Sequence, residues 1–171
     1  MLTEHEVGDV VDSLNGVPVY YNGAVANTGK RHLATDGYNY GLRWQCVEFV
    51  KRYYYDYLNH KMPDSYGHAK DFFDTALADG TLNKKRNLIQ YKNGSKAAPK
   101  ENDLLVFNSH DFNPYGHVAI VSKVSDKEIE LIQQNPGPTA PSRETYTVEE
   151  KDGKWTIDRD DLLGWLRLQD E

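Results

Sequence analysis

Cys46 is the only cysteine of the chain and lies in Arg43-Trp44-Gln45-Cys46-Val47-Glu48-Phe49-Val50, where a turn-rich stretch gives way to helical periodicity. A thiol in the first turn of a helix feels the positive end of the macrodipole and the unpaired backbone N–H groups there, both of which favour thiolate. Such a sulfur is a candidate nucleophile, although a free cysteine is more often a small buried hydrophobe. A thiol nucleophile needs a base. Among six histidines, only His117 opens an apolar strand pattern, Gly116-His117-Val118-Ala119-Ile120-Val121. A strand holds an imidazole rigidly, and the preceding glycine allows close backbone approach. If residues 117–124 and 128–132 pair about Ser125-Asp126-Lys127, His117 lies opposite a position near 133 to 135, where Gln133, Gln134 and Asn135 stand. An amide oxygen of Gln133 or of Asn135 would then orient the ring through its N–H. Gln45, directly before the thiol, can aim its side-chain amide together with the Cys46 N–H at a developing oxyanion. Trp44 either lines the pocket or belongs to the core. Glu48 reads as a solvated or capping carboxylate without chemistry.

These side chains need elements to hold them. From Gln45 to about Asn59 the apolar positions Cys46, Phe49, Val50, Tyr53 and Tyr57 recur at i, i+3/i+4 and i+7, which predicts a helix. Phe72, Phe73, Ala76 and Leu77 predict a second, from about Ala69 to Ala78, stopped by Gly80. Gly8 to Tyr21 reads as short strands around an Asn15-Gly16 turn. Asp103–Phe107, His117–Val124, Glu128–Ile132, Arg143–Val148 and Lys154–Ile157 read as strands, the last two joined by a hairpin at Lys151-Asp152-Gly153. Helices first and an antiparallel sheet afterwards give an α+β fold.

At 171 residues the expectation is a single domain spanning 1–171, with residues 1–7 a flexible terminus. One cysteine excludes internal disulfides and CxxC metal or redox motifs, which fits a reduced, cytoplasmic setting. The N-terminus has no basic and apolar signal pattern, so export would use a route needing no N-terminal signal peptide. No apolar run is long enough to cross a membrane. A net charge of −6 argues against a phosphate-tracking nucleic-acid surface and favours a cationic ligand. His5, His32, His60, His68 and His110 show no paired metal-ligand spacing, and neither a metal nor another cofactor is expected.

Trp44-Gln45-Cys46-Val47-Glu48-Phe49, Gly116-His117-Val118-Ala119-Ile120-Val121 and Gln133-Gln134-Asn135 together resemble the CHAP family of cysteine, histidine-dependent amidohydrolases/peptidases, in particular its glutathionylspermidine amidase branch. The likeness extends from about Gly8 through Gly16-Val17-Pro18-Val19-Tyr20 to Leu163-Gly164-Trp165. It implies a papain-like fold, with the cysteine at the start of a helix packed on an antiparallel sheet that carries the histidine. It also implies Cys46 as nucleophile, His117 as general base and acid, and Gln45 as oxyanion donor. Where the family usually has a carboxylate this chain has Gln133, while Asn135 matches a common polar position. The implied reaction is amide hydrolysis through a cysteinyl thioester, on a small peptide conjugate such as glutathionylspermidine. Alternatives are a peptidoglycan peptide substrate, as for a phage lysin or secreted effector, and a non-catalytic binding domain. Some members bind calcium ahead of the cysteine, but Asp36-Gly37-Tyr38-Asn39 offers one carboxylate, too few for a site. The oligomeric state is not legible.

Overall fold

The computed structural model describes residues 4–64 and 66–169, which fall into two compact units. One runs to Lys61 and takes in Gln133–Ser142; the other comprises Met62–Ile132 and the chain from Arg143 onward.

In the first unit, β1 (Val10–Leu14) and β2 (Val17–Tyr20) form an antiparallel hairpin closed by Leu14 opposite Val17. Its two-residue turn places Asn15 at φ 49° and Gly16 at φ 80°, the left-handed pair that matches strand twist. β3 (Arg31–Leu33) pairs antiparallel with β4 (Asn39–Leu42). The helix α1 (Cys46–Asp56) then packs against β4 and β2. Its apolar stripe buries Phe49, Val50, Tyr53 and Tyr54, as the 3.6-residue period requires. The same helix also buries Glu48, Lys51 and Arg52, so its inner face needs polar partners. Lys51 Nζ donates to the Asn39 carbonyl at 2.5 Å, and the Tyr53 hydroxyl accepts from Asn15 Nδ2 at 2.8 Å. Of the terminus expected to be flexible, residues 1–3 lie outside the described residues. Beyond them, His5 lies against Tyr21 with ring centroids 5.5 Å apart, and the Glu6 N–H donates to the Asp9 carboxylate at 2.8 Å.

The second unit is built on an eight-stranded antiparallel sheet. Its strands are β5 (Thr81–Asn83), β6 (Leu88–Lys92), β7 (Leu104–Phe107), β8 (His117–Val124), β9 (Glu128–Ile132), β10 (Arg143–Lys151), β11 (Lys154–Ile157) and β12 (Leu162–Arg167). They lie in the order β11-β10-β9-β8-β7-β12-β6-β5. A core of Leu105, Phe107, Ala119, Val121, Leu131, Val148 and Trp165 forms as alternate residues of neighbouring strands meet on one face. Among the described residues, the large antiparallel sheet and one α-helix give a mixed, α+β composition.

The expected second helix is a correction: only a single 3-10 turn forms, at Ala69–Phe72. Beyond it the Gln90 side chain takes both backbone groups of Asp74, its Oε1 accepting from the N–H at 2.9 Å and its Nε2 donating to the carbonyl at 2.7 Å. The Asp74 carboxylate accepts from the Ala76 N–H at 3.0 Å, and Asn83 Nδ2 donates to the Phe72 carbonyl. Backbone groups captured in this way are lost to an α-helical ladder.

Candidate active site

Gln45, Cys46, Trp44, Gln133 and Asn135 belong to the first unit and His117 to the second. Cys46 is half-buried and is the first residue of α1. Gln45 is the N-cap in extended conformation (φ −80°, ψ 166°), and its side chain makes no capping bond, leaving the N-terminal turn without that occupant. The Trp44 N–H donates to Asn22 Oδ1 at 3.0 Å, and its ring lies 4.1 Å from the Tyr20 ring, so Trp44 is packed as well as close in sequence to the sulfur.

Glu48 corrects the expectation of a solvated or capping carboxylate: its side chain has no exposed area, 0%. Arg52, one helical turn on, grips it with Nε at 2.7 Å and Nη2 at 3.1 Å. His32 Nδ1 lies 2.8 Å from Oε2, and Gln134 Nε2 donates to Oε1 at 2.8 Å. Burial would push this carboxyl up, but the His32 and Arg52 hydrogen bonds, the Arg52 charge and the Gln134 hydrogen bond together hold it below the ordinary glutamate value. Sequence reasoning missed this network, although the Glu48/Arg52 spacing of four on one helix was its available signal. Gln134 and His32 carried none.

The segment after β9 supplies the amides. Gln133 is buried, and its Nε2 donates to the Pro141 carbonyl at 3.0 Å. Asn135 takes a left-handed conformation at φ 57°, and its Nδ2 donates to the Val25 carbonyl at 3.0 Å. Its Oδ1 is buried with no hydrogen-bond partner among the described residues. A native structure seldom leaves such an acceptor unexplained. Tyr20, Tyr21, Asn22, Gln133, Asn135 and Pro136 help to line a cavity of about 240 Å³ within this unit.

In the second unit His117 begins β8 opposite Phe107, with ring centroids 5.9 Å apart. Gly116 sits at φ 76°, and a Cβ there would stand 2.5 Å from the Phe107 carbonyl and 2.9 Å from Lys70 Cβ. The Lys70 N–H donates to the Tyr115 carbonyl at 3.0 Å, and Asn113 Nδ2 donates to that of Gly116 at 2.8 Å. The glycine is what lets the chain enter β8 this tightly and sets the backbone from which the imidazole projects.

Among the described residues no cluster of three His, Cys, Asp or Glu could hold a metal ion. Asp36 is engaged by Lys61 Nζ at 2.8 Å and the Tyr55 hydroxyl at 2.7 Å. No described helix is long and apolar enough to cross a membrane.

A family model described as CHAP domain matches residues 36–135, a stretch that includes Cys46, His117, Gln133 and Asn135. The chain belongs to the CHAP domain family. Over 138 residues it is 30% identical to the bifunctional glutathionylspermidine synthetase/amidase of Escherichia coli (strain K12), covering 74% of this chain and 22% of that protein. It is 29% identical over 136 residues to trypanothione synthetase of Crithidia fasciculata, covering 74% of this chain and 21% of that protein. Glutathionylspermidine synthase of Crithidia fasciculata is 31% identical over 139 residues, covering 75% of this chain and 19% of that protein. The chain thus spans about a fifth of the length of these relatives.

Proposed function

We propose that the protein is a thiol-dependent amidohydrolase of papain-like type. The observation that carries this reading is a half-buried thiol as first residue of α1, within the stretch matched by the CHAP family. Cys46 attacks the amide carbonyl, forming a sulfur–carbon bond. The carbonyl oxygen becomes an oxyanion held by the Cys46 N–H and the Gln45 side-chain amide. His117 takes the thiol proton and passes it to the leaving amine, and water then hydrolyses the thioester with the same imidazole as base.

Gln133, by its position in the motif, is the amide proposed to orient His117 through its side-chain oxygen, with Asn135, two residues on, as the alternative. As substrate we favour a peptide conjugate of the glutathionylspermidine kind, in keeping with the amidase named in the Escherichia coli relative and with a net charge of −6 facing a polyamine leaving group.

The test labels Cys46 with iodoacetamide between about pH 6 and 7, then assays glutathionylspermidine and purified sacculi with mass-spectrometric product analysis. Stoichiometric labelling that is lost in His117→Ala, with spermidine released, is the expected result. Product from sacculi alone would move the substrate to peptidoglycan peptides. An inert thiol and no product from either would leave a binding domain.

A further inference from the structure

Gln134 is fully buried, and its amide uses both donors and both acceptor positions. Oε1 accepts from the Tyr20 N–H at 2.9 Å and from Arg52 Nη2 at 3.2 Å. Nε2 donates to the Gln45 carbonyl at 2.8 Å and to Glu48 Oε1 at 2.8 Å. The amide's orientation is forced, because a backbone N–H and a guanidinium only donate, while a carbonyl and a carboxylate only accept. Asparagine carries the same head on a stem one methylene shorter; glutamate lacks the donors.

The bond to Gln45 has a chemical consequence. The Gln45 carbonyl and the Cys46 N–H are opposite ends of one planar peptide unit, so fixing the oxygen fixes the direction of the N–H. α1 restrains that oxygen only weakly, since the bond it accepts from the Phe49 N–H is 3.5 Å long. The shorter bond, from Gln134, is the one that sets the plane. A hydrogen bond to a peptide oxygen also polarises the unit and strengthens its N–H as a donor.

We infer that Gln134 is a positioning residue of the oxyanion site: by holding the Gln45 carbonyl it aims the Cys46 N–H at the oxygen of the tetrahedral intermediate. This rests on the reading of Cys46 as nucleophile. Tyr20, Arg52 and Glu48 hold the amide in turn, and His32 closes the far side of Glu48.

Two probes of the same sulfur separate aiming from mere support. Iodoacetamide alkylates a thiolate by displacing iodide, with no oxyanion. p-Nitrophenyl acetate acylates it through an oxyanion, the sulfur–carbon bond forming as p-nitrophenolate leaves. In Gln134→Glu the ratio of acylation to alkylation rate is expected to fall about 10- to 100-fold, below the effect of losing a whole donor, and about tenfold in the milder Gln134→Asn. Alkylation should stay within about threefold of wild type, with circular dichroism reporting the fold. An unchanged ratio, both rates falling in step, or failure of both variants to fold would overturn the inference while leaving the nucleophile intact. A wild-type sulfur inert to both probes would instead overturn the reading of Cys46.

Discussion

Replacing Glu48 with alanine takes away the acceptor for three buried or half-buried donors at once. Arg52 is 3% exposed and Gln134 0%; of its hydrogen bonds the guanidinium would keep those to the Pro18 carbonyl at 2.7 Å and Gln134 Oε1 at 3.2 Å, beside its stacking on the Tyr20 ring. Breaking one member out of a buried ion pair costs about 3–5 kcal/mol, because the remaining charge stays desolvated. With a urea slope of about 2 kcal/mol per molar, that is a midpoint shift of about 2 M. The assay is urea unfolding followed by far-UV circular dichroism, with amide exchange of α1 reporting the first unit by itself. pH gives a second axis. Burial would raise the Glu48 carboxyl, yet its hydrogen bonds and the Arg52 charge hold it below its ordinary 4.5. Its stabilising contribution is therefore complete above that value and is lost as the pH falls through the lower folded-state value. Glu48→Gln, which keeps an oxygen for Gln134, should lose this acid slope and unfold earlier than wild type at neutral pH. A midpoint for Glu48→Ala within about 0.5 M of wild type would refute the account of the network as an interlocked unit.

Gly116→Ala forces a Cβ to within 2.5 Å of the Phe107 carbonyl at positive φ and should cost about 1–3 kcal/mol by thermal melting, with turnover falling as His117 shifts. Arg167→Ala strands Asp103, 1% exposed and now gripped at 2.7 and 2.9 Å, so a loss of about 3–5 kcal/mol is expected in urea titration. Gln133→Ala should lower kcat by about 10²-fold and more than Asn135→Ala does, a comparison made on released polyamine. Gln45→Ala should lower turnover by about 10²- to 10³-fold while iodoacetamide labelling of Cys46 continues.

Much of the scaffold is readable before folding, and the exceptions have causes. His117–Val124 and Glu128–Ile132 stand out as β-branched runs between turn residues, and β8 and β9 have those bounds. Asn15-Gly16 and Asp152-Gly153 give hairpins because both residues of each pair adopt positive φ. β12 has no such punctuation. Leu162 to Arg167 is an apolar run that belongs between β7 and β6 because Gly164 permits close packing on the Tyr91 carbonyl, a long-range contact with no local signature. The periodicity from Gln45 to about Asn59 anticipates a helix, and α1 occupies Cys46–Asp56 of that stretch. The burial of Glu48 does not follow from periodicity, because it depends on Arg52 nearby in sequence, His32 ahead of it and Gln134 far beyond it.

The loop from Gln133 to Ser142 belongs to the first unit although the strands on either side of it, β9 and β10, are neighbours in the sheet of the second. Dissecting the molecule at Lys61 would thus yield a fragment deprived of its own interior lining: α1 would keep its apolar stripe but forfeit the amide that quenches Arg52 and the Tyr20 N–H. Such a fragment should be recovered as insoluble or protease-sensitive material, and supplying the missing decapeptide by permutation of the chain, rather than lengthening the fragment, is the way to obtain this unit alone.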